Sequence, residues 1–107
     1  MLLTDVRDEF TFNCQCRKLS PKTVRNYTKQ INYLLRFLEQ EKEIMQPENV
    51  KTRNIKEFLL KMTKAGRSAN YVNDLLKAYK VFFRYAYDEG CTEENLTKRI
   101  ANSRVPE

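Results

Sequence analysis

Histidine and tryptophan are absent from this 107-residue chain, and glycine (two), proline (three) and cysteine (three) are scarce. Lacking histidine, the chain has no imidazole general base, no histidine for a catalytic triad and none of the usual nitrogen ligands for zinc. So little glycine and proline excludes collagen-like, linker-like and mucin-like chains. Apolar runs never exceed three residues, so nothing reads as a membrane span. No basic head followed by an apolar stretch opens the chain, so no secretory signal is expected. Cys14 and Cys16 form a CxC with no second ligand pair, and Cys91 stands alone. That spacing predicts reduced thiols in a cytosolic protein rather than a metal site or a disulfide framework. There are no paired carboxylates, no Gly-rich phosphate loop and no Cys/His constellation. The expectation is a chain that is not itself an enzyme, with no cofactor, no metal and no small-molecule substrate.

The residues that are present write a helical pattern. The length suits one small domain, and no stretch alternates apolar and polar residues as a strand would. Leu3, Val6, Phe10 and Cys14 predict a first helix over about Thr4–Arg17, with Thr4 or Asp5 as its cap. Ser20-Pro21 reads as an N-cap followed by proline in the first turn, opening a second helix that ends near Lys42. Its apolar stripe is Val24, Tyr27, Ile31, Leu34, Leu35 and Leu38. A third helix is expected from Thr52 as N-cap to Gly66 as C′ residue, burying Ile55, Phe58, Leu59 and Met62. Ser68 caps a fourth, which buries Val72, Leu75, Leu76, Tyr79, Phe83 and Ala86, carries Phe82 on its flank and ends before Gly90. A short final helix or turn capped by Thr92 would pack Leu96 and Ile100. The prediction is an all-α bundle over residues 1–96, with 97–107, ending in Val105-Pro106-Glu107, as a linker.

Charge is unevenly distributed. Lys plus Arg total 20 and Asp plus Glu 14, a net +6. No acidic residue occurs between Glu9 and Glu39, and residues 18–42 hold six basic and two acidic groups, which is +4 of the +6. At about 100° per residue, Lys22, Arg25, Lys29 and Arg36 fall in a strip roughly 60° wide, nearly opposite the apolar stripe. On the fourth helix Asn70, Asn73, Lys77, Lys80 and Arg84 form a second polar strip. An ordinary solvated face is the competing explanation for each. Solvated faces usually interleave Glu with Lys, however, because i,i+4 pairs help the helix, and the second helix forgoes that support until Glu39. A bound polyanion would reverse the cost.

The two serine-started helix ends add a second device. Free N–H groups at a helix start carry partial positive charge. Lys18, Lys22 and Thr23 cluster at the first start, and Arg67 and Asn70 at the second. Such ends suit phosphate, although a plain N-cap looks the same in sequence. Of the twelve aromatics, Tyr27, Phe37, Phe58, Tyr79 and Phe83 sit at core spacing. Tyr71, Tyr85 and Tyr87 are expected to be more exposed. No strand platform exists for stacking single-stranded bases.

The stretch Leu19-Ser20-Pro21-Lys22-Thr23-Val24-Arg25-Asn26-Tyr27 resembles the N-terminal, SAM-like core-binding domain of tyrosine recombinases, the phage-integrase family. So do Ile55-Lys56-Glu57-Phe58-Leu59, Gly66-Arg67-Ser68 with Val72-Asn73, Phe82-Phe83-Arg84-Tyr85-Ala86, and Gly90 through Asn95. Departures are Tyr71, where the family usually has Thr, Asp74, often basic there, and Leu96, usually Pro. The resemblance implies an orthogonal helical bundle forming half of a clamp on double-stranded DNA, with the second and fourth helices facing the major groove. Ser20, Lys22 and Thr23 would contact phosphate at one helix start, Arg67 and Ser68 at the other. The full set expected to bind DNA is Lys18, Ser20, Lys22, Thr23, Arg25, Asn26, Lys29, Arg67, Ser68, Asn70, Asn73, Lys77 and Lys80. By residue type Asn73 suits adenine and Lys77 guanine. The family's strand-cleaving tyrosine and its helpers belong to a separate catalytic domain, so none of the six tyrosines here is expected to be the nucleophile. The resemblance further implies a bacterial or phage-encoded cytoplasmic protein, monomeric as this fragment and oligomeric on DNA at full length. The rival is a helical interaction module whose basic faces meet an acidic protein.

Overall fold

The computed structural model describes residues 1–103; the expected end of the linker, Val105-Pro106-Glu107, lies outside them. Four helices carry the fold: α1 (Leu3–Cys16), α2 (Pro21–Lys42), α3 (Thr52–Lys64) and α4 (Ala69–Asp88), with a 3-10 turn at Pro47–Asn49 between α2 and α3. Among the described residues there is no strand. α2 and α4 pack on one another, and α1 and α3 both rest on that pair.

The helix boundaries follow local chemistry. Ser20 Oγ accepts the Thr23 N–H at 3.2 Å, and Pro21 begins α2, where a missing N–H costs nothing. Ser68 Oγ accepts the Tyr71 N–H at 3.1 Å and starts α4 in the same way. Gly66 ends the α3 turn at φ +90°, a conformation open to a residue without Cβ. Two other expected caps are corrected. Leu2, rather than Thr4 or Asp5, precedes α1, and Asp5 sits in the first turn, accepting the Leu2 N–H at 2.8 Å. Lys51 precedes α3, capped by Asn54, which accepts the Lys51 N–H at 2.8 Å. The Thr52 hydroxyl donates instead to the Leu96 carbonyl at 2.7 Å, tying α3 to the C-terminal segment.

One core runs through all four helices. The expected faces of α1, α2, α3 and α4 are buried, with Tyr27 and Met62 half-buried at its margin. Phe82 departs from the flank position expected of it: it is fully buried. Phe10 of α1 meets it edge-on with ring centroids 5.4 Å apart. α4 is covered by α1, α2 and α3 together, so its buried arc is wider than a stripe facing two partners, and Ala78 is enclosed with Phe82. A second aromatic run, Phe37–Phe58–Tyr79, joins α2, α3 and α4. Buried Tyr79 donates its hydroxyl to the Gln30 carbonyl at 2.7 Å, locking α4 to α2. Burial pushes that phenol far above its ordinary range.

After Asp88 the chain continues in turns, without the short helix that was one expected option. Thr92 caps nothing: its hydroxyl donates to the Glu94 carbonyl at 2.8 Å. Leu96, Thr97 and Ile100 are buried against the bundle, so the segment expected to be linker from residue 97 begins as packed structure.

Candidate nucleic-acid interface

The acid-free stretch of α2 presents a row of cations to solvent. Lys22, Arg25, Asn26 and Lys29 are exposed, as is Arg36 further along the helix. The ion pairs among the described residues are Arg7–Asp8, Lys42–Glu57, Arg53–Glu57, Lys61–Glu41 and Arg84–Asp88. None involves the strip. The acids that return after Arg36 are used differently. Glu41 is held by Lys61 of α3, and Glu57 of α3 is held by Lys42. The hydrogen bond from Lys42 is the main cause holding the Glu57 carboxyl below the usual glutamate range; desolvation opposes it, and the positive charges of Lys42 and Arg53 add to the lowering. Ionic stitching thus joins the C-terminal half of α2 to α3 and leaves the N-terminal half of α2 uncompensated.

The two serine-started ends differ in what they leave free. At α2, Pro21 has no N–H, Thr23 is capped by Ser20 Oγ and Val24 donates to the Ser20 carbonyl, so Lys22 carries the free amide of that turn. The Thr23 hydroxyl also lies 2.9 Å from Ser20 Oγ. At α4, Ala69 and Asn70 keep free amides, because Tyr71 and Val72 are satisfied by Ser68. Lys18, just before α2, is exposed and holds a left-handed backbone at φ 60°.

The structure brings two of these features together in a way that sequence does not show. Arg36 of α2 and Arg67, preceding α4, line one cleft of about 310 Å³, with Tyr33, Gln40 and Tyr71 beside them and Phe37, Phe58 and Met62 also in its wall. The Arg67 guanidinium lies 5.0 Å from the centre of the Tyr71 ring, a cation–π contact that steadies it. Glu41 also lines the cleft, but Lys61 occupies it, and Lys61 itself lies over Phe37 at 5.4 Å. Arg36, Tyr33, Gln40 and Tyr71 were absent from the predicted binding set. Arg36 could have been found from its place in the cationic strip; the other three could not, because they reach the cleft only through packing.

The polar strip of α4 is less uniform. Asn70 and Lys77 are exposed, and Lys80 is half-buried. Arg84 faces Asp88 at 3.9 Å. Asn73 is engaged: its carboxamide donates to the Ser103 carbonyl at 3.0 Å and accepts the Ser103 N–H at 2.7 Å. Tyr71 and Tyr85 are half-buried and Tyr87 exposed.

No group of three or more acidic, Cys or His side chains suited to a metal occurs among the described residues, and no helix among them is long and apolar enough to cross a membrane. Burial raises the Cys14 thiol, with Arg17 opposing, and also raises Cys91.

The model of the N-terminal SAM-like domain of phage integrases matches residues 6–93. The chain belongs to that family. The match runs from Val6 within α1 to Glu93 in the turns after α4 and includes the cationic strip and the Arg36–Arg67 cleft. The bundle superposes on a crystal structure of lambda integrase (75-356), a dimer bound to a COC′ core site, with a TM-score of 0.83 and 21% identity, covering 100% of this chain and 37% of that one. A lambda integrase dimer bound to a COC′ core site matches at 0.82 and 20% identity, covering 100% of this chain and 29% of that one. The integrase-family domain described here therefore spans about a third of the integrase chains it resembles, and at these identities the likeness shows the fold. A sequence search of curated proteins returns no match.

Proposed function

We propose that this integrase-family domain binds double-stranded DNA as the core-binding module of a site-specific tyrosine recombinase acting in DNA integration or recombination. The observation that carries this is the α2 strip together with the Arg36–Arg67 cleft: cations gathered on one helix and at the entry of another, none neutralised by an ion pair among the described residues. Uncompensated like charge costs stability, and a phosphate backbone recovers that cost. The lambda integrase structures that share the fold are complexes with a core site.

In this reading Lys18, Lys22, Thr23, Arg25, Asn26 and Lys29 follow one phosphate rail with Ser20. Arg67, Ser68 and Asn70 hold another, and Lys77 and Lys80 reach from α4. Phosphate contacts set affinity and register, whereas any sequence preference comes from base edges. Strand cleavage belongs to another part of the recombinase polypeptide, which acts in the cytoplasm. The domain alone is a monomer, and oligomers form on DNA. The helical bundle within residues 1–96 is the binding unit, and the segment from residue 97 packs along it before any onward chain.

Fluorescence anisotropy with a labelled duplex at several salt concentrations tests the proposal. Binding of about micromolar strength is expected, with a log–log salt slope near −4 to −5 for roughly four to six phosphate contacts. No binding at low salt would instead favour an acidic protein as the partner.

A further inference from the structure

The carboxamide of Asn73 meets the backbone of Ser103 on both sides, giving one hydrogen bond and receiving one. An asparagine that forms this ring satisfies a chain segment as a neighbouring strand would, from a helix surface. It does not act alone. Ile100 is buried just before the contact, and Ala101 and Ser103 line a groove whose walls come from Leu59, Leu60 and Thr63 of α3 and Val72 of α4. Further back, the Thr52 hydroxyl holds the Leu96 carbonyl. Three anchors, at 96, 100 and 103, thus direct the segment along α3 and α4.

We propose that Asn73 is a positioning residue for the chain leaving the bundle: it clamps the backbone at Ser103 and fixes the exit path along the α3–α4 groove. The clamp uses the amide oxygen and an amide hydrogen together, the same pair that would read adenine. A clamped Asn73 therefore cannot make that bidentate contact with a base. Ser103 has no comparable side-chain anchor on α4 among the described residues. Of the three anchors, the last before any further polypeptide is then the Asn73 side chain.

The test needs no DNA, so it stands apart from the proposed function. Amide exchange and ¹⁵N relaxation are measured on the 107-residue chain and on three variants. In the unmodified chain the Ser103 amide is protected and residues 101–103 relax like the bundle. Asn73→Ala accelerates Ser103 exchange by about tenfold and loosens 101–103, while the melting temperature and the remaining cross-peaks hold. Asn73→Asp, which keeps the accepting oxygen, retains most of the protection. Ser103→Pro removes the donated N–H and loosens the segment with Asn73 intact. A Ser103 amide that exchanges at the rate of an unstructured peptide in the unmodified chain would overturn the clamp. So would an Asn73→Ala variant in which 101–103 stay as ordered as before, or an Asn73→Asp variant no better protected than Asn73→Ala.

Discussion

Arg36 of α2 and Arg67 at the entry to α4 open into the same cleft, and the carboxylate beside them, Glu41, is committed to Lys61. Two guanidiniums facing one space without a counter-charge repel weakly in water and attract an anion that reaches both. Arg36→Gln and Arg67→Gln should each weaken duplex binding at low salt and flatten the log–log salt slope by about 0.9. Thermal stability should hold or rise slightly. An unchanged slope in both variants would remove the cleft from the interface.

The strip at the start of α2 predicts a larger effect. Lys22→Ala, Arg25→Ala and Lys29→Ala combined should lower the salt slope by about 2.7 and leave the circular dichroism spectrum unchanged. Glu39→Gln, beyond the strip, should leave affinity nearly as it was. Anisotropy titrations of the two proteins side by side decide the matter.

Glu43 ends α2 in a left-handed backbone at φ 55°, which lets the N–H of the next residue, Ile44, donate to the Leu38 carbonyl at 2.9 Å. A residue with a Cβ holds that conformation at a cost of about 1 kcal/mol. Glu43→Gly should raise the urea midpoint by a stabilisation of about 0.5–1 kcal/mol, glycine's looser unfolded state offsetting part of the gain. DNA affinity should not change.

Glu57 carries the acid-side prediction. The bound Lys42 and nearby Arg53 lower its folded-state value, so the stability it confers is complete above the ordinary glutamate value of about 4.3 and fades as pH falls through the lower folded-state value. Glu57→Gln should be less stable than the unmodified protein at neutral pH, and the two should converge in acid. Urea midpoints from pH 7 to pH 2 test this; curves that stay parallel would contradict it.

Much of the fold was legible because the apolar periods, the two Ser caps and Gly66 all speak locally. Phe82 was misplaced because an apolar stripe read on one helix assumes a core on one side, and α1 supplies a second one. Thr52 and Thr92 look like caps in sequence, yet their hydroxyls are claimed by carbonyls at Leu96 and Glu94. Of the candidate site, the α2 strip could be read from charge and spacing. Tyr33, Gln40 and Tyr71 could not, because they join Arg36 and Arg67 only through the packing of α2 and α3 and the turn into α4. Asn73 looked free on the polar face of α4, since nothing in its neighbourhood of sequence points to Ser103.

Two-dimensional ¹⁵N–¹H spectra recorded as a duplex oligonucleotide is added test the DNA-binding surface most directly. Cross-peaks of Ser20 to Lys29, Arg36 and Arg67 to Asn70 should shift together and saturate, and the shifts should shrink as salt is raised. Shifts gathered instead on the acidic side of α1, around Asp5, Asp8 and Phe12, or none at low salt, would contradict the assignment of the cationic strip to DNA.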